Sequence, residues 1–168
     1  MKRSFLLAAA FALLQGTAAA APRVWTGGNG DGDWFQPANW DPFGIPAPGD
    51  DVVIDMSTTV SLGEGLAAPP IGSLTLGDPA GTYAPILWLS TGLTANGAGT
   101  MSTFHPRSTL LSDTSSQIVF TSLTMAQGSS ITYTRPGASG PPPSGSGAFI
   151  NLRVTDTLVV QAGATVTA

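Results

Sequence analysis

The chain has 168 residues and a net charge of −4, and only 10% of its residues are charged. Nucleic-acid binders displace counterions from phosphates with clustered Lys and Arg, so the few scattered cations of this acidic chain exclude that class. The absence of cysteine excludes disulfides and thiolate metal sites. The 21 glycines and 14 prolines favour short strands joined by frequent turns over helices.

The first residues have the three-part layout of a secretory signal peptide. Lys2 and Arg3 precede the apolar run 5–14, and small residues follow it. We predict a signal peptide over residues 1–20, because cleavage one residue later would place the imide nitrogen of Pro22 in the scissile bond. The alternative, a membrane anchor, needs roughly 20 apolar residues, and this run is shorter. Cleavage would leave four arginines against ten carboxylates, a net charge of −6.

Strand signals dominate the rest of the chain. No segment keeps apolar residues at helical spacing for three turns without a Gly or Pro, so we expect little or no helix. Alternating apolar residues predict strands near Asp51–Asp55, Thr59–Leu62, Ser73–Leu76, Ile86–Leu89, Gln117–Phe120, Ser122–Met125, Ser130–Thr134, Phe149–Val154, Thr157–Val160 and Ala164–Thr167.

Some of these segments repeat one another. The stretch Leu123–Thr132 aligns without a gap on Leu158–Thr167, at an offset of 35 that includes a Pro/Gly/Ser-rich loop at 136–147. Subtracting the twelve residues of this loop leaves an offset of 23. A shorter third copy, Ser73–Gly77, precedes the first by 49 residues, which is close to twice that value.

A period of about 20 to 25 residues fits one coil of a β-solenoid, in which each coil stacks its strands on the coil before. Gly128 and Gly163 are expected at a corner, where a positive φ suits glycine. We therefore predict an all-β fold, a parallel β-helix (β-solenoid) over residues 51–168 with a disordered loop at 136–147. An antiparallel sandwich is the alternative. The residues expected to point inward are Leu123, Met125, Ile131, Leu158, Val160 and Val166, and those expected to point outward are Thr124, Thr132 and Thr167.

The densest sequence pattern lies near the start of the mature chain. Trp25, Trp34 and Trp40 fall within sixteen residues, in the pattern W-x-G, then W-x-x-x-x-N-W, then P-x-x-G-D-D-V-V-I. Residues 24–76 thus resemble the N-terminal segment of large bacterial surface and autotransporter-like passenger proteins, which implies a β-helix start and surface display. Residues 39–76 are also similar to the G8 module of certain extracellular glycan-related proteins, although the preceding stretch fits that module less well.

Residues 21–50 have the composition of an N-terminal cap. The first coil of a solenoid exposes an apolar end and an unpaired strand edge, and both must be covered to prevent aggregation. The three tryptophans, with Phe35 and Phe43, carry enough apolar area to cover that end. Asn39 is expected to bond the turning backbone. The functional alternative is that Trp25, Trp34 and Trp40 form a stacking platform for a glycan.

A calcium site is a further hypothesis for the glycine-rich loop, in which Asn29, Asp31 and Asp33 alternate. An EF-hand loop needs glycine and glutamate at the positions that Trp34 and Trp40 occupy. The calcium-binding nonapeptide pattern also fails, because glycine stands where its aspartate should be. We therefore expect a solvated turn.

The other ionisable residues predict no catalytic site, no cofactor and no metal. Asp50 and Asp51 are adjacent, so they would face opposite sides of a strand and end a turn. His105 has no serine-elbow motif and no matched carboxylate in the sequence. The carboxylates that stand singly along the chain, rather than clustered as in a β-helix lyase or glycosidase, are Glu64, Asp78, Asp113 and Asp156.

The leading functional hypothesis is a bacterial, secreted or surface-displayed structural or adhesive β-solenoid passenger without catalytic activity of its own. Its expected partners are an extracellular glycan or a host or neighbouring cell surface, with no transmembrane segment after signal cleavage. The alternative is a carbohydrate-binding or polysaccharide-degrading β-helix protein, with any lyase or hydrolase site downstream. The last repeat stops at an open strand, so we expect a C-terminally truncated fragment that self-associates through that edge.

Overall fold

Short strands make up almost all the regular structure of the computed structural model, which describes residues 22–63, 66–113, 116–134 and 150–168. The helical element of these residues is a single 3-10 turn, Pro37–Asn39. In chain order the strands are β1 (Pro22–Trp25), β2 (Trp40–Asp41), β3 (Asp51–Ile54), β4 (Thr59–Leu62), β5 (Ser73–Leu76), β6 (Ile86–Leu89), β7 (Leu93–Ala95), β8 (Ser102–Phe104), β9 (Thr109–Ser112), β10 (Ile118–Phe120), β11 (Leu123–Met125), β12 (Ser130–Tyr133), β13 (Leu152–Val154), β14 (Leu158–Val160) and β15 (Thr165–Thr167).

The strands form three sheets. Sheet A has seven strands in the order β14-β11-β8-β5-β3-β1-β2, sheet B has five in the order β15-β12-β9-β6-β4, and sheet C has three in the order β13-β10-β7. Neighbouring strands run parallel, except β1 and β2, which pair antiparallel. The predicted all-β, parallel-stranded character is therefore confirmed, and the antiparallel sandwich is wrong.

The chain visits the sheets in a fixed rotation. From β5 onward successive strands belong to A, B, C, A, B, C, A, B, C, A and B. In the preceding round, Ile71 takes the place of a strand in sheet C by forming a parallel bridge with Ala95. Each strand from β5 onward therefore pairs with strands one round away along the chain, never with its immediate successor.

The register of the repeats agrees with the sequence alignment. Leu123 is the partner of Leu158 in the β11–β14 pair, and Ile131 is the partner of Val166 in the β12–β15 pair. The corner glycines also stack: Gly128 donates its N–H to the carbonyl of Gly163 at 3.1 Å. Their φ angles of 79° and 89° lie in the left-handed region, which only glycine occupies at little cost. The prediction of in-register copies is confirmed.

A further copy of the repeat, β8, lies between the copies that begin at Ser73 and Leu123. β8 stacks on β11, with Ser102 opposite Leu123, and β5 stacks on β8 in turn. Arg107 stands at the glycine position, with a φ of 66°, and donates its N–H to the carbonyl of Gly128 at 3.1 Å. Because β8 is a copy between β5 and β11, the offset of 49 residues before Leu123 covers two repeats rather than one. Serine and arginine replace the leucine and glycine that define the pattern, so the repeat pattern does not predict β8.

The other strands missing from the sequence prediction have two to four residues. β7 has three residues, β2 has two, and β9 carries leucines on both faces, so none shows clean alternation. β1 shows no strand signal of its own in the sequence, because it comes directly after the segment predicted as a signal peptide. The signal peptide predicted at 1–20, the loop predicted at 136–147 and Glu64 lie outside the described residues.

The inward-facing side chains of the three sheets form one hydrophobic cluster. Leu123, Met125 and Ile131 are fully buried, as predicted, while their outward neighbours Thr124 and Thr132 are partly exposed. Leu158, Val160 and Val166 continue the same columns but remain 47–50% exposed. They lie on β14 and β15, the outermost strands of sheets A and B, so no described strand covers them.

Two leucines in register provide a test of the packing. We expect Leu123→Ala to lower the free energy of unfolding by about 2–5 kcal/mol, because it removes a fully buried side chain and leaves a cavity. Leu158→Ala, the matched control at the half-exposed end of the column, should cost about 1 kcal/mol. Urea denaturation of both variants measures the difference, and equal losses would contradict the described packing.

Candidate functional site

The three tryptophans of the N-terminal segment form a buried cluster. Trp25 and Trp40 lie on the paired strands β1 and β2, and Trp34 lies in the loop between them. Both Trp25 and Trp34 pack edge-to-face against Trp40, with ring centroids 4.9 Å apart in each pair. The indole N–H of Trp40 donates to the carbonyl of Trp34 at 2.8 Å. The cluster is part of the hydrophobic core beside the outer strand of sheet A.

This burial corrects two sequence interpretations. Trp25, Trp34 and Trp40 are 2%, 0% and 3% exposed, so their rings offer no face on which a sugar can stack. Phe43 is 78% exposed and does not contribute to covering the core, whereas Phe35 packs against it. The three tryptophans and Phe35 therefore stabilise the fold, and the tryptophan rings are not available as a stacking platform.

Asn39 organises the loop that carries the proposed calcium ligands. Its side-chain carbonyl accepts the backbone N–H of Asn29 at 2.8 Å, and its amide donates to the carbonyl of Asp33 at 3.0 Å. The same amide donates to Oδ1 of Asp31 at 2.7 Å. Because Asn39 is fully buried, these bonds satisfy its amide inside the protein. The expectation that Asn39 bonds the turning backbone is confirmed.

The two loop carboxylates accept hydrogen bonds from within the loop. Asp31 accepts the N–H of Asp33 at 3.0 Å and the side-chain amide of Asn29, and Asp33 accepts the N–H of Phe35 at 2.9 Å. The N–H of Asp33, followed by the amides of Asn39 and Asn29, lowers the pKa of Asp31 below its ordinary value of 3.8. Asp31 is therefore an ionised acceptor at neutral pH and a poor general acid.

These residues line one side of a cleft. The cleft has a volume of about 410 Å³ and is lined by Asp31, Asp33, Phe35, Ser61, Gly63 and Leu66. Asp33 forms a parallel bridge with Ser61 on β4, and the N–H of Ser61 donates to the carbonyl of Gly32 at 2.7 Å. A side chain at Gly32 would meet the carbonyl oxygen of Thr59 at 2.8 Å, so glycine permits this approach. The cleft thus combines two carboxylates with an aromatic and an aliphatic side chain.

The other candidate residues lie apart from the cleft and have structural partners. Asp50 forms an ion pair with Arg23 at 2.9 Å and accepts the N–H of Ala47, so it ends a turn as predicted. Asp51 accepts the hydroxyl of Ser73 on the next strand at 2.6 Å. His105 lies at a corner, where burial lowers its pKa and the charge of Asp78 partly opposes that shift. The Arg23–Asp50 pair is not apparent in the sequence, where the cations are scattered singly and these two residues stand 27 positions apart.

In the described ranges, no group of three or more His, Cys, Asp or Glu side chains is placed to hold a metal ion. The helices of the same part of the chain include none long and apolar enough to cross a membrane. The chain matches no protein family, and neither curated proteins nor solved structures include one that matches it.

Asn39 provides a test of the loop. Asn39→Asp keeps the shape of the side chain but replaces a donor with a carboxylate that faces Asp31. We expect a loss of about 2–4 kcal/mol in the free energy of unfolding at pH 7. Burial and the neighbouring charge raise the pKa of the new carboxyl, so the loss should shrink as the pH falls toward about 4 and the group is protonated.

Urea denaturation at the two pH values measures this effect. Asn96→Asp, at an exposed asparagine, is the matched control and should be near neutral at both. A loss for Asn39→Asp that is small, or that grows with acidification, would contradict the assigned bonds.

Proposed function

We propose that the chain forms the opening coils of a parallel β-solenoid and serves outside the cytoplasm as a structural or adhesive passenger. The observation that carries this proposal is the rotation of successive strands through sheets A, B and C. Combined with parallel, in-register pairing between rounds, this rotation supports a solenoid, in which each coil would add one strand to each sheet. The single hydrophobic cluster, to which all three sheets contribute, supports the same architecture.

A spacer role is supported by the contrast between the side chains that face the core and those that face outward. Inward positions carry apolar residues, while the outward column of sheet B has hydroxyl residues at both ends, Ser61 at one and Thr132 and Thr167 at the other, with Trp88 and Leu111 between them. Each added coil lengthens such a structure by about 4.8 Å without changing its cross-section. Asp31, Asp50 and Asp51 bond to neighbouring groups of the chain, which supports a stabilising role rather than a chemical one.

The proposal that the protein is exported rests on the first residues of the sequence, which lie outside the described part of the chain. The order of cations, apolar run and small residues is that of a signal peptide. The resemblance of residues 24–76 to the start of surface passenger proteins supports the same location. The high content of Ser, Thr and Gly and the low charge suit a protein built from stacked short strands.

Export can be tested by expressing the chain with a C-terminal epitope tag in a bacterium and fractionating the cells. We expect the tagged protein outside the cytoplasm, with Ala21 as the first residue found by N-terminal sequencing. A matched variant with Ala18→Leu and Ala20→Leu should retain the leader, because signal peptidase requires small side chains there. A wild-type chain that stays in the cytoplasm with its leader intact would overturn the proposed location.

Self-association is a second candidate function, favoured by the exposed apolar side chains of the last strands. Leu158, Val160 and Val166 are each about half exposed and lie on the end strands of sheets A and B. The edges of β14 and β15 also present backbone groups that a second copy can pair with. A copy docked there would cover the apolar end that the described strands leave open.

Sedimentation of the mature chain over a range of concentrations tests this association. We expect dimers that Leu158→Lys and Val166→Lys, made together, convert to monomers, because two buried charges would face the interface. Thr167→Lys, on the outer face, should leave the dimer intact. A wild-type chain that stays monomeric at all concentrations would contradict self-association.

A further inference from the structure

One tryptophan differs from the other three. Trp88 lies at the centre of β6, points away from the core and is 40% exposed. A large aromatic ring on a protein surface offers an apolar face with a polar edge, which is typical of binding sites. No sequence pattern singles out Trp88, because the tryptophan-rich pattern lies in the N-terminal segment.

Hydrogen bonds hold the Trp88 ring in place. Its indole N–H donates to Oδ2 of Asp113 at 2.9 Å, and the hydroxyl of Ser90 donates to the same oxygen at 3.1 Å. Asp113 follows β9, the strand next to β6, and its own N–H donates to the carbonyl of Leu89 at 3.1 Å. A ring fixed in this way loses little conformational entropy when a ligand stacks on it.

Trp88 lies in the same row of outward side chains as two residues of the cleft. Asp33, Ser61, Trp88 and Leu111 occupy one row across four adjacent parallel strand segments. With a spacing of about 4.8 Å between strands, this row spans about 14 Å. We call the row, together with the cleft residues Asp31 and Phe35 and with Asp113, the outer strip of sheet B. It places an aromatic side chain at the cleft and a second one two strands away.

The chemistry of the outer strip suits a sugar chain. Apolar C–H faces of sugar rings stack on aromatic side chains, and the carboxylates Asp31, Asp33 and Asp113 accept hydrogen bonds from hydroxyl groups. The charged side chains of the strip are all acidic, so an anionic polysaccharide would be repelled. A strip that crosses the strands of a sheet also matches an extended chain better than a compact ligand.

We propose that the outer strip of sheet B binds a neutral, extended oligosaccharide, with Trp88 as its main stacking surface and Asp113 as the residue that positions the ring. Phe35 and the cleft carboxylates hold the neighbouring sugar units. This site replaces the buried tryptophans as the place where a glycan can bind. The site requires the described pairing of β4, β6 and β9, but it does not require that the protein is exported or that the sheets close into a solenoid. The test of glycan binding can therefore fail or succeed independently of the proposed function.

Titration calorimetry of the mature chain with neutral cellohexaose, xylohexaose and mannohexaose tests the proposal, with hexagalacturonate as the anionic comparison. We expect binding of at least one neutral probe and none, or at least tenfold weaker binding, of the anionic probe. Trp88→Ala should raise the Kd about tenfold or more, as expected for loss of a central aromatic contact. Phe43→Ala, which removes an exposed aromatic side chain outside the strip, is the matched control and should leave the Kd unchanged.

Tryptophan emission provides a second measurement that does not depend on Trp88→Ala. Since the other tryptophans are buried, the neutral probe should shift the emission of the wild-type chain to shorter wavelength, and this shift should vanish in Trp88→Phe. Asp113→Ala should weaken binding while leaving the melting temperature nearly unchanged. Absence of binding to all three neutral probes at millimolar concentration, binding that Trp88→Ala leaves intact, or preferred binding of hexagalacturonate would each overturn the proposal.

Discussion

In-register pairing between parallel strands that are one round apart in the chain is the constraint on which the rest of the structure depends. A strand such as β11 has three residues and gains little by itself, but it is bonded to β8 on one side and to β14 on the other. The same register aligns Leu123 with Leu158, so hydrogen bonding and apolar burial are satisfied together. A slip by one residue would turn every inward side chain outward.

The same constraint makes the two ends of the stack different. At the start, Trp25, Trp34 and Trp40 fill the core, and the turn held by Asn39 bonds the backbone around them. The indole nitrogens of Trp25 and Trp34 are buried without a hydrogen-bond partner, a cost that the packing of their rings offsets. At the other end, β14 and β15 extend the columns but stay uncovered. Between the ends, outward side chains of the strands such as Trp88 and Thr124 are at least partly exposed, and the outer strip of sheet B lies on such a face.

The repeats were readable from the sequence because apolar, glycine and hydroxyl residues recur at fixed positions, as at Gly128 and Gly163. The copy around β8 was not, since Ser102 and Arg107 replace the defining residues while the neighbouring strands maintain the backbone path. The fold could therefore be predicted better than the site. Tryptophan spacing showed that the N-terminal rings belong together but not that they are buried, and nothing near Trp88 in the sequence indicated that Asp113 holds its ring.

Disulfide trapping tests the in-register pairing of strands one round apart most directly, because the chain has no cysteine of its own. Thr124 and Val159 are partners on β11 and β14, on the outer face and 35 residues apart. Their expected separation of about 4.8 Å lies within the range that a disulfide spans. We predict that Thr124→Cys with Val159→Cys forms an intramolecular disulfide under mild oxidation, whereas Thr124→Cys with Thr155→Cys, four residues out of register, does not. Equal cross-linking of both pairs, or none of the first, would contradict the stacked arrangement.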